Sequence, residues 1–177
     1  SAHANAYFTG LGSSKRVVFF DTLLSKLDTD EVEAVLAHEL GHFHHRHIIK
    51  RMVLMFGLSL AGFALLGWLY NQVWFYTGLG VMPNLMSPNA ALALILFLLV
   101  VPQFVFFLSP LLASLSRRDE YQADAYAVQQ TAAKPLATAL LKLYEDNAST
   151  LTPDPVYVKF YYSHPTASRR LTRIVMA

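Results

Sequence analysis

The sequence predicts a mainly α fold with a small β-hairpin, in which a transmembrane helical hairpin is inserted between two metal-binding helices. Three observations lead to this prediction. A His-Glu-x-x-His motif at 38–42 lies in a segment with helical periodicity, residues 52–116 contain no Asp, Glu, Lys or Arg, and an acidic, Ala-rich segment follows at 117–127. Short apolar and aromatic runs near the start predict the hairpin.

The first element in the chain is the predicted β-hairpin. Residues 4–9 and 16–20 form the two runs, and the Gly-Leu-Gly-Ser-Ser segment between them is typical of a tight connection. A strand beside a catalytic site can hold an extended peptide by adding it to the sheet, so Asn5 and Ala6 are predicted substrate contacts. The alternative is a hairpin that only covers the core.

The second element is the helix that carries the motif. Residues four apart lie on one helical face, so His38 and His42 can reach one metal ion, and Glu39 can take a proton from a metal-bound water. Zinc is the metal that this motif predicts. Acidic residues at 28–33 suit a helix start, and Asp30 with Glu33 is the predicted capping box. The alternative is a solvated helix that is rich in histidine, since others follow at 44, 45 and 47.

The third element is the charge-free span, which divides into apolar segments at 52–70 and 90–112, the second interrupted by Pro102 and Pro110. Each has about 20 residues, or about 30 Å as a helix, which matches the thickness of a bilayer core. Basic residues at 46, 50 and 51 precede the first segment, and basic residues at 117 and 118 follow the second. The positive-inside rule therefore predicts an integral membrane protein whose metal site faces the cytoplasm. The alternative is a pair of buried helices in a soluble domain.

The remaining elements supply further site residues. A catalytic zinc has three protein ligands and one open position, and Glu120 is the predicted third ligand. Asp124, on the same helical face, is predicted to accept a hydrogen bond from a ligand histidine. The alternative is an exposed helix whose acids pair with neighbouring arginines. His164, just before the last helix, is predicted to stabilise the oxyanion of the transition state, or else to be a solvated turn residue.

Composition limits the classes of function. The chain of 177 residues contains no Cys, so it has neither disulfides nor thiol chemistry. A net charge of +2 gives no reason to expect nucleic-acid binding. The apolar fraction of 54 % is high for a soluble domain. The sequence begins at Ser1 without a signal-peptide pattern, and we expect it to be a fragment of a longer membrane protein.

Together these segments resemble the type I CAAX prenyl protease family of integral-membrane zinc metallopeptidases, and a bacterial-type member is expected. The resemblance lies in residues 1–8 (SAHANAYF), 15–18 (KRVV), 20–24 (FDTLL), 38–42 (HELGH), the hydrophobic hairpin, Glu120-x-x-x-Asp124 and 163–165 (SHP). It implies a gluzincin-like fold with one zinc ion per chain on His38, His42 and Glu120. It also implies that Glu39 acts as the base and that His164 and Asn5 contact the substrate or the intermediate.

The predicted function is that of a zinc-dependent membrane endopeptidase, in which a zinc-activated water hydrolyses the peptide bond with Glu39 as general base. The predicted partners are the lipid bilayer and a protein or peptide substrate, either a membrane protein under quality control or a prenylated protein. We expect one metallopeptidase domain over 1–177, made of the hairpin and zinc helix (1–51), the transmembrane hairpin (52–113) and the Glu-ligand and C-terminal helices (114–177).

Three alternatives to this function stay open. The chain could be a heat-shock membrane protease like HtpX, which also has the zinc helix, the hairpin and the Glu helix. It could be a non-catalytic zinc-binding membrane scaffold, whose site His45 would close as a fourth ligand. It could also be a soluble metallopeptidase with a hydrophobic insert.

Overall fold

The structure is a computed structural model that describes residues 6–9, 16–146 and 153–176, with the backbone alone at 6–9 and 146. Asn5 lies outside the described residues. The chain forms two compact units, one of Ser1–Ile48 with Pro110–Ala177 and the other of Ile49–Ser109. The strands are β1 (Ala6–Thr9) and β2 (Arg16–Phe19). The helices are α1 (Asp21–Leu24), α2 (Thr29–His44), α3 (His47–Leu69), α4 (Val73–Thr77), α5 (Ala90–Gln130), α6 (Ala133–Asp146), α7 (Pro155–Tyr161) and α8 (Ala167–Val175).

The predicted hairpin is present as an antiparallel pair of strands. Ala6 faces Phe19 and Thr9 faces Arg16 across the pair. Ala6 therefore lies at the start of β1, and its side chain is outside the described part of the structure. The predicted contact between Ala6 and a substrate stays a prediction.

The start of α2 differs from the predicted capping box. Asp28 is the N-cap, and its carboxylate accepts a hydrogen bond from the backbone N–H of Glu31 at 2.9 Å. The Glu31 carboxylate in turn accepts from the backbone N–H of Asp28 at 2.9 Å. The prediction of Asp30 with Glu33 was therefore wrong by two residues. Lys142 of α6 donates to the Glu31 carboxylate at 2.6 Å, and this distant contact stabilises the earlier start.

The core of the first unit is built from small and aliphatic residues of α2, α5, α6 and α8. Small side chains allow the helix axes to come close together, as they must where two helices share a metal site. The main cluster consists of Ala34, Ala37, Ala127, Leu136, Ala137, Leu140 and Ile174. A second cluster, which extends to the segment before α2, consists of Leu23, Leu27, Val35 and Ala139.

The second unit contains most of α3 and the first half of α5. The whole of α3 has 23 residues and α5 has 41, and both are long and apolar enough to cross a membrane. Only 6 % of the most apolar stretch of α3 and 17 % of that of α5 is buried. A core helix of a soluble domain would be mostly buried, so this exposure favours the membrane interpretation.

The second apolar segment and the Glu120 segment form one helix. We expected Pro102 and Pro110 to interrupt the segment, but α5 continues through both. A proline removes one intrahelical hydrogen bond, and apolar helices tolerate such losses when neighbouring groups compensate for them. Glu120 consequently lies on the same helix as the second apolar segment.

Candidate metal centre and active site

The helix α2 brings two histidines of the motif together. His38 and His42 lie one turn apart, and their Nε2 atoms are 3.2 Å from each other. Gly41, between them in the sequence, is buried where α2 passes close to α5. A Cβ atom at Gly41 would lie 2.9 Å from the Cα atom of Ala123, so only glycine permits this approach.

Glu120 of α5 completes a group of three donor atoms. Its carboxylate oxygens lie 3.6 Å from Nε2 of His38 and 3.5 Å from Nε2 of His42. Among the described residues, this is the group of three His or acidic side chains that could hold a metal ion. Ligands about 2.0–2.1 Å from a tetrahedral zinc are about 3.3–3.4 Å apart. Two imidazoles and one carboxylate at these separations therefore fit three of the four ligands that a tetrahedral zinc would take.

Asp124 lies beside Nδ1 of His38, and Arg170 binds Asp124. Nδ1 of His38 is buried and lies 3.0 Å from Oδ1 of Asp124, although it is not aligned for a hydrogen bond and has no other partner among the described residues. Arg170 donates to both oxygens of Asp124, at 2.9 and 2.6 Å. Burial raises the pKa of Asp124, but the adjacent His38 ring and the hydrogen bonds and charge of Arg170 outweigh burial and lower it. Asp124 is thus ionised, which is the form that can accept a hydrogen bond from a ligand histidine, and this role stays a prediction.

Arg170 also balances the charge of Glu120. One of its terminal nitrogens lies 3.6 Å from a carboxylate oxygen of Glu120. Burial lowers the pKa of Arg170, but the hydrogen bond to Asp124 and the charges of the nearby carboxylates outweigh burial. The net pKa is above the ordinary arginine value, so the side chain stays charged. Local sequence spacing does not link Arg170, on α8, to the acids on α5, so this role could not be predicted.

His47 contacts His42, the second candidate ligand, and this contact could not be predicted from local spacing. Its Nδ1 lies 3.0 Å from Nδ1 of His42, and its Nε2 lies 2.9 Å from Oε1 of Gln122. If Nε2 of His42 binds a metal, its Nδ1–H donates to His47, and Nε2–H of His47 donates to Gln122. His47 is 3 % exposed, so water does not compete for these bonds. The His47 ring can fix the tautomer of His42 only because it is held by Gln122, which is distant in the sequence.

The electrostatic environment shifts the pKa values of His42 and Glu39 in opposite directions. Burial, followed by the charges of His38 and His47, lowers the pKa of His42 to about 3. A neutral imidazole is the form that binds metal. Burial also raises the pKa of Glu39, with a contribution from Glu120 and against the effects of His38 and Arg170. A carboxylate with a raised pKa is a better proton acceptor near neutral pH.

His164 reaches the same group of side chains from the segment before α8. Its Nε2 lies 3.4 Å from a carboxylate oxygen of Glu120, and 64 % of its side chain is exposed. The hydroxyl of Tyr144 donates to the carbonyl of Pro165 at 3.2 Å, which anchors this segment to α6. His164 therefore lies at the open side of the group of ligands.

His45, the fourth ligand of the scaffold alternative, lies elsewhere. Its ring stacks on that of His47, with centroids 5.4 Å apart, and it meets the ring of Tyr126 edge-on. Within the described part of the chain, His45 does not belong to the group of potential metal ligands. This placement gives no support to a site closed by His45.

A helix with a His-Glu-x-x-His motif, faced by a glutamate from a second helix, defines the metal centre of a zinc metallopeptidase. The chain belongs to peptidase family M48, whose pattern matches residues 1–176. It is 38 % identical to CAAX prenyl protease 1 of Saccharomyces cerevisiae, over 98 % of this chain and 41 % of that protein. It is 31 % identical to the CAAX prenyl protease 1 homolog of Homo sapiens, over 97 % of this chain and 43 % of that protein.

The fold is also similar to a solved structure. The crystal structure of S. mikatae Ste24p matches with a TM-score of 0.85 and 36 % sequence identity, over 98 % of this chain and 43 % of that one. The chain thus spans about two fifths of the length of the relatives that it matches. These findings confirm the family and the fold class expected from the sequence. The predicted domain boundaries stay predictions.

Proposed function

We propose that this chain is the catalytic part of a zinc-dependent membrane endopeptidase. The observation that carries the proposal is the set of separations of 3.2–3.6 Å between the donor atoms of His38, His42 and Glu120. These three side chains would hold one zinc ion. Zinc in such a site lowers the pKa of a coordinated water to about 7 and polarises the carbonyl group of a substrate.

The protein groups around the site have separate tasks in this proposal. Glu39 accepts the proton of the attacking water and delivers it to the leaving amine. His164, at the open side of the site, donates a hydrogen bond to the oxyanion of the transition state. Asp124 and His47 hold the ligand imidazoles in the orientation that directs Nε2 toward the metal. Asn5 and Ala6 bind the substrate backbone through the edge of the hairpin.

The substrate in this proposal is a protein or peptide. The relatives are named CAAX prenyl protease 1 and CAAX prenyl protease 1 homolog, which supports a prenylated CAAX protein as the substrate class. The two apolar helices support a location in the lipid bilayer. The basic residues that flank the charge-free span support a site on the cytoplasmic side.

A pair of variants of the detergent-purified protein tests the proposal. Glu39→Gln keeps the ligand set and should retain zinc, while cleavage of a prenylated CAAX peptide falls by about 10³-fold or more, because the proton acceptor is lost. His38→Ala should lose both zinc and cleavage. A Glu39→Gln protein that cleaves at the wild-type rate would refute the role of Glu39. Cleavage that persists in a chelator-treated, metal-free sample would refute the zinc mechanism.

A further inference from the structure

A cleft in the first unit is lined by positive charge. Its volume is about 590 Å³, and four arginines line it, two from α5 and two from α8. These are Arg117, Arg118, Arg169 and Arg173. The one acid in its lining is Asp124, whose charge is already matched by the two hydrogen bonds from Arg170. The cleft therefore has an excess of positive charge that no carboxylate in its wall neutralises.

The four arginines differ in the contacts that their guanidinium groups already make. Arg117 donates to the carbonyls of Val158 and Tyr162 at 3.2 and 2.8 Å, and Arg173 lies 4.2 Å from the centroid of the Tyr121 ring. These contacts fix two guanidinium groups in the wall of the cleft. Arg118 and Arg169 are exposed and form no ion pair with any acid in the described part of the chain. Within the described part of the chain, two guanidinium groups without an acidic partner are thus available to an incoming anion.

The location of the cleft favours one source of anion. Arg117 and Arg118 are the first charged residues after the charge-free span, within the continuous helix α5. The positive-inside rule accounts for these two, but not for Arg169 and Arg173, which α8 adds from a distant part of the sequence. Basic clusters next to a membrane span bind the headgroups of acidic phospholipids, and arginine matches phosphate with paired hydrogen bonds.

We infer that this cleft is a binding site for a phosphate-bearing anion, with the headgroup of an acidic phospholipid as the favoured source and a soluble phosphate as the other. Arg118 and Arg169 bind the phosphate oxygens, and Arg117 and Arg173 supply positive charge from the wall. The site goes beyond the proposed peptidase function, because none of these four arginines contacts the group of metal ligands in the described residues.

The experiment measures binding of short-chain phosphatidic acid, short-chain phosphatidylcholine and inorganic phosphate to the detergent-purified chain by calorimetry. The test variant is Arg118→Gln with Arg169→Gln. Its control, Lys134→Gln with Lys159→Gln, removes the same charge from exposed residues outside the cleft. Phosphatidic acid should bind the test variant about 30-fold more weakly than wild type, and the control should change by less than about threefold.

The three ligands distinguish a lipid headgroup from a soluble phosphate, and some outcomes would overturn the inference. Tight binding of phosphatidic acid with weak binding of inorganic phosphate identifies a lipid headgroup as the ligand. Equal affinities for both ligands, each reduced in the test variant, identify a soluble phosphate. Phosphatidylcholine that binds as tightly as phosphatidic acid would overturn the inference, because the anionic charge would not be recognised. Equal losses in the test and control variants would also overturn it. Arg118→Lys with Arg169→Lys should restore only part of the binding, because lysine keeps the charge but not the paired hydrogen bonds, and unchanged zinc content shows that the variants fold.

Discussion

The substitution Gly41→Ala tests whether the close contact between α2 and α5 sets the geometry of the metal centre. The added Cβ would lie 2.9 Å from Ala123 Cα, 3.1 Å from Ala123 O and 3.2 Å from Tyr126 Cβ. Carbon atoms in contact are about 3.5–4.0 Å apart, so the shortfall is about 0.6 Å or more. Two of these three atoms belong to the backbone, which cannot rotate away, and the helices must therefore separate.

The separation acts directly on the ligand set. His38 and His42 belong to α2 and Glu120 to α5, and their donor atoms are already 3.5–3.6 Å apart across the two helices. Metal sites tolerate errors of about 0.2 Å, so a shift of about 0.6 Å should weaken zinc binding by at least about tenfold. Overpacking costs about 1–3 kcal/mol, and the higher helix propensity of alanine offsets about 1 kcal/mol of it. Folding stability should thus fall by only about 0–2 kcal/mol.

The assay is competition for zinc between the detergent-purified protein and a chromophoric chelator, with thermal unfolding measured in parallel. Gly57→Ala is the matched control, since a Cβ there meets nothing within 4 Å in the described part of the chain. That control should bind zinc as wild type does. If Gly41→Ala also kept its affinity for zinc, the contact between the helices would not set the ligand geometry, and the reasoning would be refuted.

Two further predictions concern His47 and Glu31. His47→Phe keeps the ring volume but leaves Nδ1 of His42 without its partner, so affinity for zinc should fall about 10- to 100-fold in the same chelator competition. Glu31→Gln weakens the bond from Lys142, and the free energy of unfolding in denaturant titrations near neutral pH should fall by about 1–2 kcal/mol. Burial raises the pKa of Glu31, but bonds from Lys142 and the Asp28 backbone outweigh burial and lower it. This stabilisation is therefore complete above the ordinary glutamate pKa of about 4.3 and disappears as pH falls through the lower folded value.

Each of these predictions has a control. His44→Phe makes the same change on an exposed ring that stacks on Tyr126, and it should leave zinc affinity unchanged. A His47→Phe protein with wild-type affinity would show that His42 needs no support from His47. For Glu31→Gln, a stability difference from wild type that stays constant down to pH 2 would contradict the ionic origin of the effect.

The sequence predicts those features that depend on local spacing. The helical repeat is enough to put His38 and His42 on one face, and the lack of charge over 52–116 is enough to predict the apolar spans. Glu120 could be selected because a carboxylate is an accepted zinc ligand and its segment is compatible with a helix. The structure brings these three side chains together, and it also brings His164 beside Glu120.

Features that depend on distant partners could not be predicted. The N-cap is Asp28 rather than Asp30, because Glu31 then meets Lys142 from a helix far along the chain. Nothing near His47 in the sequence reveals its contact with Gln122, and nothing near Arg170 reveals its pairing with Asp124. Such pairs become visible only once the packing of α2, α5 and α8 is known.

In the proposed function, His38, His42 and Glu120 hold a catalytic zinc with one position open. X-ray absorption at the zinc edge of the detergent-purified chain measures the ligands directly. We expect two imidazole nitrogens, one carboxylate oxygen and one non-protein oxygen, all at about 2.0–2.2 Å. A site with four protein ligands, or a folded chain that takes up no zinc, would contradict the claim.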